Sequence, residues 1–246
     1  MILTGKKLKN TLFRDSRGHY GESGQLHISE DIRGTRFLVK SNPADVTNEY
    51  VVHRIARLIG VPTSDAVLIE TNGFVEVGII YERDFRRVSL DDFVGDANYP
   101  DDSPYLADLM AYLALRDMVA MGDNHQLAFS GKRLISYDYA DSFYMHDSLL
   151  GAIQMVNDIS LPVSTFANQL TLGRGYLSAI RILQRPDSDY LRTAYLDPIV
   201  KFQEVDLTQI LADLNELYPP IVPAFYKACF DEIRKAYDKM VAGEDV

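Results

Sequence analysis

The spacing of apolar residues changes part-way along the chain, and that change limits the fold more than any other feature. Up to about residue 82 the apolar side chains come in short runs: Gln25-Leu26-His27-Ile28, Arg36-Phe37-Leu38-Val39-Lys40, then 66–71 and 74–81. Short, partly alternating runs bounded by turn residues are the pattern of strands. Asn72-Gly73, between the last two runs, is the dipeptide of a tight hairpin turn. One helix interrupts the series. Val46, Tyr50, Ile55, Leu58 and Ile59 recur at three- and four-residue spacing, after the turn Asn42-Pro43-Ala44-Asp45 and before a closing Gly60. Beyond Glu82 the character is different. Residues 83–102 are polar, acidic and carry turn residues; from Pro104 the spacing is helical, over 105–121, 163–183, 206–217 and 221–241, with Pro219-Pro220 dividing the last two. The expected fold is α+β: a small, mostly antiparallel β-rich lobe over 1–82 and a helical lobe over 83–246. A cleft between two such lobes is a preferred place for a ligand.

Composition removes several classes of function. Lys and Arg number 25 against 35 Asp and Glu, giving a net charge of −10, so broad nucleic-acid binding is not expected. No apolar run approaches the roughly 18 residues of a membrane helix, and Met1-Ile2-Leu3-Thr4-Gly5-Lys6-Lys7 lacks a signal-peptide core. Cys229 is the single cysteine, which excludes an internal disulfide and fits a cytoplasmic setting. It lies among apolar helix neighbours and reads as core. The chain has no His-Glu-x-x-His, no cysteine pair and no Walker loop.

Chemistry concentrates at four places. Lys40 ends an apolar strand, where its amine can neutralise nucleotide phosphates or simply reach water. Glu49, nine residues on, can fix Lys40 by an ion pair; its position early in a helix is also explained by the helix dipole. Asp123 and His125 follow Gly122 after a strong apolar helix. A carboxylate in such a loop can accept or orient the proton of an attacking hydroxyl, with the histidine holding the loop. Asp138 lies within Leu134-Ile135-Ser136-Tyr137-Asp138-Tyr139. A carboxylate among such neighbours needs a partner, and Mg²⁺ carrying nucleotide phosphates is one. The short turn Ser130-Gly131-Lys132 separates Asp123 from Asp138. Asp141 reads as a surface or capping aspartate. Of the basic clusters, Lys6/Lys7/Lys9 reads as solvated charge, and Arg83/Arg86/Arg87 lies near the expected cleft, where it could meet phosphate.

These residues, in this order, resemble the HipA-like and phosphatidylinositol-kinase-like branch of the protein kinase fold. Gly122-Asp123-Asn124-His125-Gln126-Leu127-Ala128-Phe129 is similar to that branch's catalytic loop, and Tyr137-Asp138-Tyr139-Ala140 to its metal-binding segment. Ile80-Tyr81-Glu82-Arg83-Asp84-Phe85 is similar to its hinge. The resemblance covers roughly residues 20–145. It implies a two-lobed protein-kinase-like fold and an ATP- and Mg²⁺-dependent transfer of the γ-phosphate to a protein or small-molecule hydroxyl. Asp123 would be the catalytic aspartate and His125 its loop partner. Lys40 and Glu49 would form the phosphate-binding pair, the backbone of Glu82 and Arg83 would meet the adenine edge, and Asp138 would hold metal. Residues 18–24, with three glycines, would be the phosphate-covering loop. One position departs. The branch has a metal-binding asparagine five residues after the catalytic aspartate, and this chain has Ala128, which offers no side-chain oxygen. Gln126, Asn124 or a water could stand in. Otherwise the chain would be a pseudokinase, a nucleotide-binding or regulatory module with weak or no catalysis. A two-lobed scaffold unrelated to kinases is the third reading, and it requires that Lys40, Asp123 and Asp138 fail to converge.

Overall fold

The computed structural model describes residues 2–4, 9–12, 27–80, 86–95, 99–122 and 126–243. The first lobe is built on six strands: β1 (Ile2–Thr4), β2 (Lys9–Leu12), β3 (His27–Glu30), β4 (Arg36–Lys40), β5 (Ala66–Thr71) and β6 (Phe74–Ile80). Helix α1 (Pro43–Ile59) lies between β4 and β5 in the chain. The spatial order is β1-β5-β6-β4-β3-β2. The Asn72-Gly73 turn joins β5 to β6 with both residues in the left-handed region, at φ 53° and 83°, as the hairpin requires. Gly60 likewise ends α1 at φ 82°, its N–H closing on the helix's last carbonyls. The sheet is not wholly antiparallel, because β1 pairs parallel with β5. Ile2-Leu3-Thr4 is too short a run to announce itself as a strand; the neighbouring edge of β5 supplies the pairing.

The two sheet faces serve different purposes. Phe37, Val39, Val67 and Ile69 form a small cluster on one side. Leu68, Val77 and Ile79 join the main core beneath α1 on the other. Strand alternation places Lys40 on the side opposite Val39, toward α1.

The remaining strands and helices follow in order. Strand β7 (Arg86–Val88) leads into a single 3₁₀ turn at Leu90–Phe93. Helix α2 (Pro104–Met118) precedes the hairpin of β8 (Leu127–Ser130) and β9 (Arg133–Ser136), and β7 completes a three-stranded sheet with them. Then come α3 (Asp147–Val156), α4 (Ser160–Ala167), α5 (Leu172–Ile182), α6 (Asp189–Glu204), α7 (Thr208–Leu217) and α8 (Ile221–Val241). The helical lobe departs from the sequence expectation in three respects. Helix α2 stops at Met118 rather than 121; Ala120 is left-handed at φ 46°, and the Val119 carbonyl accepts from Phe143 N–H at 2.7 Å. The stretch 163–183 is two helices, parted at 168–171. Helices α3 and α6 were not anticipated: α3 carries a mid-helix glycine (Gly151) and α6 a proline (Pro198).

Helix α1 belongs to both lobes. Its buried residues Val46, Tyr50, Val51, Val52 and Ile55 lie in one continuous core with Leu106 and Met110 of α2, Tyr195 of α6 and Phe225 of α8. Among the described residues no helix is long and apolar enough to cross a membrane.

Candidate active site

The site is assembled where β4, α1 and the end of β9 meet. Lys40 is the last residue of β4 and only 9% exposed. Its ammonium makes a very short hydrogen bond to Glu49 Oε1 and donates to Asp138 Oδ1 at 2.8 Å. Glu49 is fully buried on the inner face of α1. Its other oxygen, Oε2, lies 3.2 Å from His53 Nε2, one helical turn further on. His53 Nδ1 in turn lies 2.8 Å from Thr63 Oγ1 and 3.0 Å from the Ser64 carbonyl. Thr63 donates to the Ser136 carbonyl at 3.1 Å, and the Tyr139 hydroxyl reaches Thr63 at 3.3 Å. The His53 and Tyr139 rings meet edge to face at 4.7 Å. A continuous polar network therefore runs from Lys40 through α1 to both flanks of Asp138.

The electrostatics follow from two carboxylates sharing one lysine. Burial by itself disfavours the charged form of Glu49, yet Lys40 and then the neighbouring His53 outweigh it and hold the carboxyl at about 2. Asp138 goes the other way. Burial, and then the neighbouring Glu49 charge, push it up to about 6, and Lys40 only partly opposes them. Glu49 has two stabilising neighbours and Asp138 one, so the first proton to enter the pair goes to Asp138. Burial alone disfavours the charge on Lys40, but the two carboxylates raise it well above the ordinary lysine value.

The surroundings position Asp138 and the loop after α2. Asp108 of α2 accepts from Arg133 Nε and Nη2 and from Leu134 N–H, which pins the β8–β9 hairpin to the helix. Arg116 Nε donates to the Gly122 carbonyl at 3.3 Å, and Gly122 N–H donates to the Asp141 carbonyl at 3.3 Å. Gly122 is thus tied to the segment following Asp138. Asp141 is exposed beside Gly122.

Of the residues singled out in the sequence, Lys40, Glu49 and Asp138 converge, and the ion pair expected of Lys40 and Glu49 is formed. Asp123, His125, Glu82, Arg83 and the glycine-rich stretch 18–24 lie outside the described residues. Ala128 is wholly buried in β8, paired with Arg87 and Ile135. Gln126 accepts from the Tyr137 hydroxyl at 2.8 Å, so its side-chain oxygen already has a donor. Arg86 stacks over Phe129 at 4.8 Å and Arg87 over Tyr137 at 6.0 Å, both lining a cavity of about 690 Å³ with Asp91, Asp92 and Tyr99. Sequence reasoning missed His53 and Thr63. The signal for His53 was its place four residues after Glu49 on the buried face of an amphipathic helix.

No protein-family model matches the chain, and no curated protein matches it. In three dimensions it is similar to the crystal structure of the Helicobacter pylori proinflammatory kinase CtkA, with a TM-score of 0.56 over 94% of this chain and 96% of that one, at 12% sequence identity. The fold is therefore kinase-like: an antiparallel-sheet lobe followed by a helical lobe. At that identity the likeness speaks to fold alone.

Proposed function

We propose that the chain is an ATP-dependent phosphotransferase of the HipA-like kinase type, acting on a protein or small-molecule hydroxyl in a cytoplasmic setting. One observation carries the reading: the buried Lys40 joins Glu49 of α1 to Asp138 of the other lobe, residues 98 positions apart from the lysine in the case of Asp138. A kinase uses such a lysine to hold nucleotide phosphates and such an aspartate to hold metal. The likeness to a kinase structure supports it.

The described residues suit Mg²⁺ in one specific way. Among them no group of three or more His, Cys, Asp or Glu side chains could hold an ion alone. Mg²⁺ in nucleotide sites is commonly held by one or two carboxylates together with substrate phosphates and water. Asp138 is partly exposed and, with Glu49 and Lys40, carries one more negative charge than positive. Asp138 would hold the ion, which when bound supplies charge neutralisation of the phosphates. Lys40 binds the nucleotide phosphates, Glu49 orients Lys40, and Asp123 takes the acceptor hydroxyl's proton as its oxygen bonds to the γ-phosphorus and the β–γ bridge breaks. The backbone at Glu82 and Arg83 meets the adenine, and His125 steadies the catalytic loop. The test is phosphate transfer from ATP with Mg²⁺ in the wild type, Lys40→Met, Asp123→Ala and Asp138→Ala. Turnover should vanish in the variants, and unchanged turnover in both aspartate variants would overturn the proposal.

Ala128 favours a second reading, a nucleotide-binding pseudokinase. Its side chain has no ligand atom and is sealed in a strand, so one protein ligand of a two-metal arrangement is lost. Thermal-shift titration with ATP, with and without Mg²⁺, separates the two: binding without turnover supports the pseudokinase, and robust transfer removes it.

A further inference from the structure

Asn48 precedes Glu49 in α1 and is fully buried. Its side chain reaches into the segment that follows Asp138. Nδ2 donates to the Ala140 carbonyl at 2.5 Å and to the Met145 carbonyl at 3.1 Å, while Oδ1 accepts from the Tyr226 hydroxyl of α8 at 2.8 Å. Both partners of Nδ2 are carbonyls, which only accept, so the orientation of the amide is fixed and both of its N–H groups are used.

The segment it holds is strained. Phe143 and Tyr144 are consecutive left-handed residues, at φ 59° and 52°, and neither is glycine. Each such residue costs about 1–2 kcal/mol and persists only where the surroundings over-determine it. Here they do. Phe143 N–H donates to the Val119 carbonyl, Gly122 N–H donates to the Asp141 carbonyl, and Asn48 takes the carbonyls at either end. From the other side, Asp147 Oδ1 accepts the Ala44 N–H at 2.8 Å in the first turn of α1.

We propose that Asn48 is the positioning residue of the centre, an amide bracket that sets the separation of Glu49 and Asp138 and keeps the helix paired with Lys40 before any nucleotide binds. One arm is covalent, through the peptide bond to Glu49. The other is the pair of hydrogen bonds to the turn that Asp138 enters. Because that turn also carries the Gly122 contact, the bracket holds Gly122 as well. The inference rests on reading Lys40, Glu49 and Asp138 as a phosphotransfer centre, and its test has an arm that does not depend on turnover.

The experiment compares the wild type with Asn48→Asp, nearly isosteric but without the two donors, and with Tyr226→Phe, which removes the hydroxyl that Asn48 Oδ1 shares with Thr47 Oγ1. Two quantities are read: kcat and KM for Mg²⁺-ATP turnover, and the rate at which a soluble amine-acylating reagent labels Lys40, followed by peptide mass spectrometry. Lys201, half exposed on α6, is the internal control for an intact fold. In Asn48→Asp, kcat should fall about tenfold or more with KM for ATP changed by less than about threefold. Lys40 labelling should rise about tenfold as the local lock opens, with Lys201 labelling unchanged. Tyr226→Phe should fall between, and it decides the matter if Asn48→Asp does not fold. Unchanged kcat and unchanged Lys40 labelling overturn the bracket, as does a kcat loss with no gain in labelling. If the wild type shows no turnover, the functional reading fails by itself. Labelling then decides: faster in Asn48→Asp, the bracket stands; equal, it falls.

Discussion

The charge imbalance at Lys40 makes Asp138→Asn a stabilising change, and under the proposed function one that removes turnover. Asp138 stands at about 6 in the folded protein against an ordinary value of 3.8. Between those values the folded protein keeps a proton that the unfolded chain has released. Stability from this group is therefore full below about pH 3.8 and is lost as pH rises through 6. The loss is roughly 3 kcal/mol at 1.36 kcal/mol for each tenfold change in affinity, and it is an upper figure because the side chain is 28% exposed. Asparagine keeps the shape and can still accept from Lys40, but it has no charge to desolvate or to repel Glu49. Denaturant unfolding of wild type and variant from pH 4 to 8 measures the difference. The variant's advantage should grow through pH 4–6.5, level off above about pH 7 at about 1–3 kcal/mol, and appear there as a melting point about 2–12 °C higher. A gap that stays flat with pH, or shrinks as pH rises, would refute the assignment of an unsatisfied negative charge to Asp138. Turnover in the same variant should be abolished.

Glu49→Gln should act in the opposite sense. The Glu49 carboxyl is held at about 2 against 4.5, so its stabilisation is present above about pH 4.5 and lost only as pH falls through 2; at pH 7 the variant should be destabilised by roughly 3 kcal/mol in urea unfolding. The same substitution removes the like charge beside Asp138, so a pH series on the Glu49→Gln background should show a smaller gain from Asp138→Asn. Turnover at limiting Mg²⁺ should fall on the acid side with a midpoint near pH 6, where Asp138 takes up its proton, and should be flat between pH 7 and 8; a steady-state pH profile checks it. Away from the site, Gly175→Ala should lower the melting point. Its Cβ would lie 1.9 Å from the Tyr195 hydroxyl and 2.1 Å from Asp117 Oδ2, and overpacking of this kind costs about 1–3 kcal/mol.

The parts of the structure that local patterning determines were legible in the sequence. Strand β4, the β5–β6 hairpin with Asn72-Gly73, helix α1 with Gly60 and helices α7 and α8 follow from apolar spacing and turn chemistry. The α2 terminus was not legible, because what stops the helix is the demand of Phe143 N–H for the Val119 carbonyl, a contact between residues 24 positions apart. Lys40 and Glu49 could be paired from their spacing, but burial of the lysine could not, since a strand-end lysine ordinarily reaches water. Convergence with Asp138 came only from the resemblance and the fold. The role of Asn48 was illegible for a related reason: a buried polar residue on a helix is read as an anomaly until its partners, here on 140–145 and α8, are in place.

Two of the buried carboxylate clusters among the described residues show why one is structural and the other is the candidate for chemistry. Asp108 faces Arg133 in a one-to-one pair and accepts the Leu134 N–H as well. Its charge is balanced, and its work is to hold a hairpin on a helix. Around Lys40 two carboxylates share one ammonium, the more exposed of them is pushed up to about 6, and the turn beside it contains two left-handed residues. A fold selected for stability alone gains nothing from such a cluster, since replacing one carboxylate by an amide would relieve it. Strain and unbalanced charge gathered at one place are the expected cost of a functional site. The deficit is one positive charge, on the carboxylate nearest the surface, and under the proposed function a divalent cation held at Asp138 would offset it.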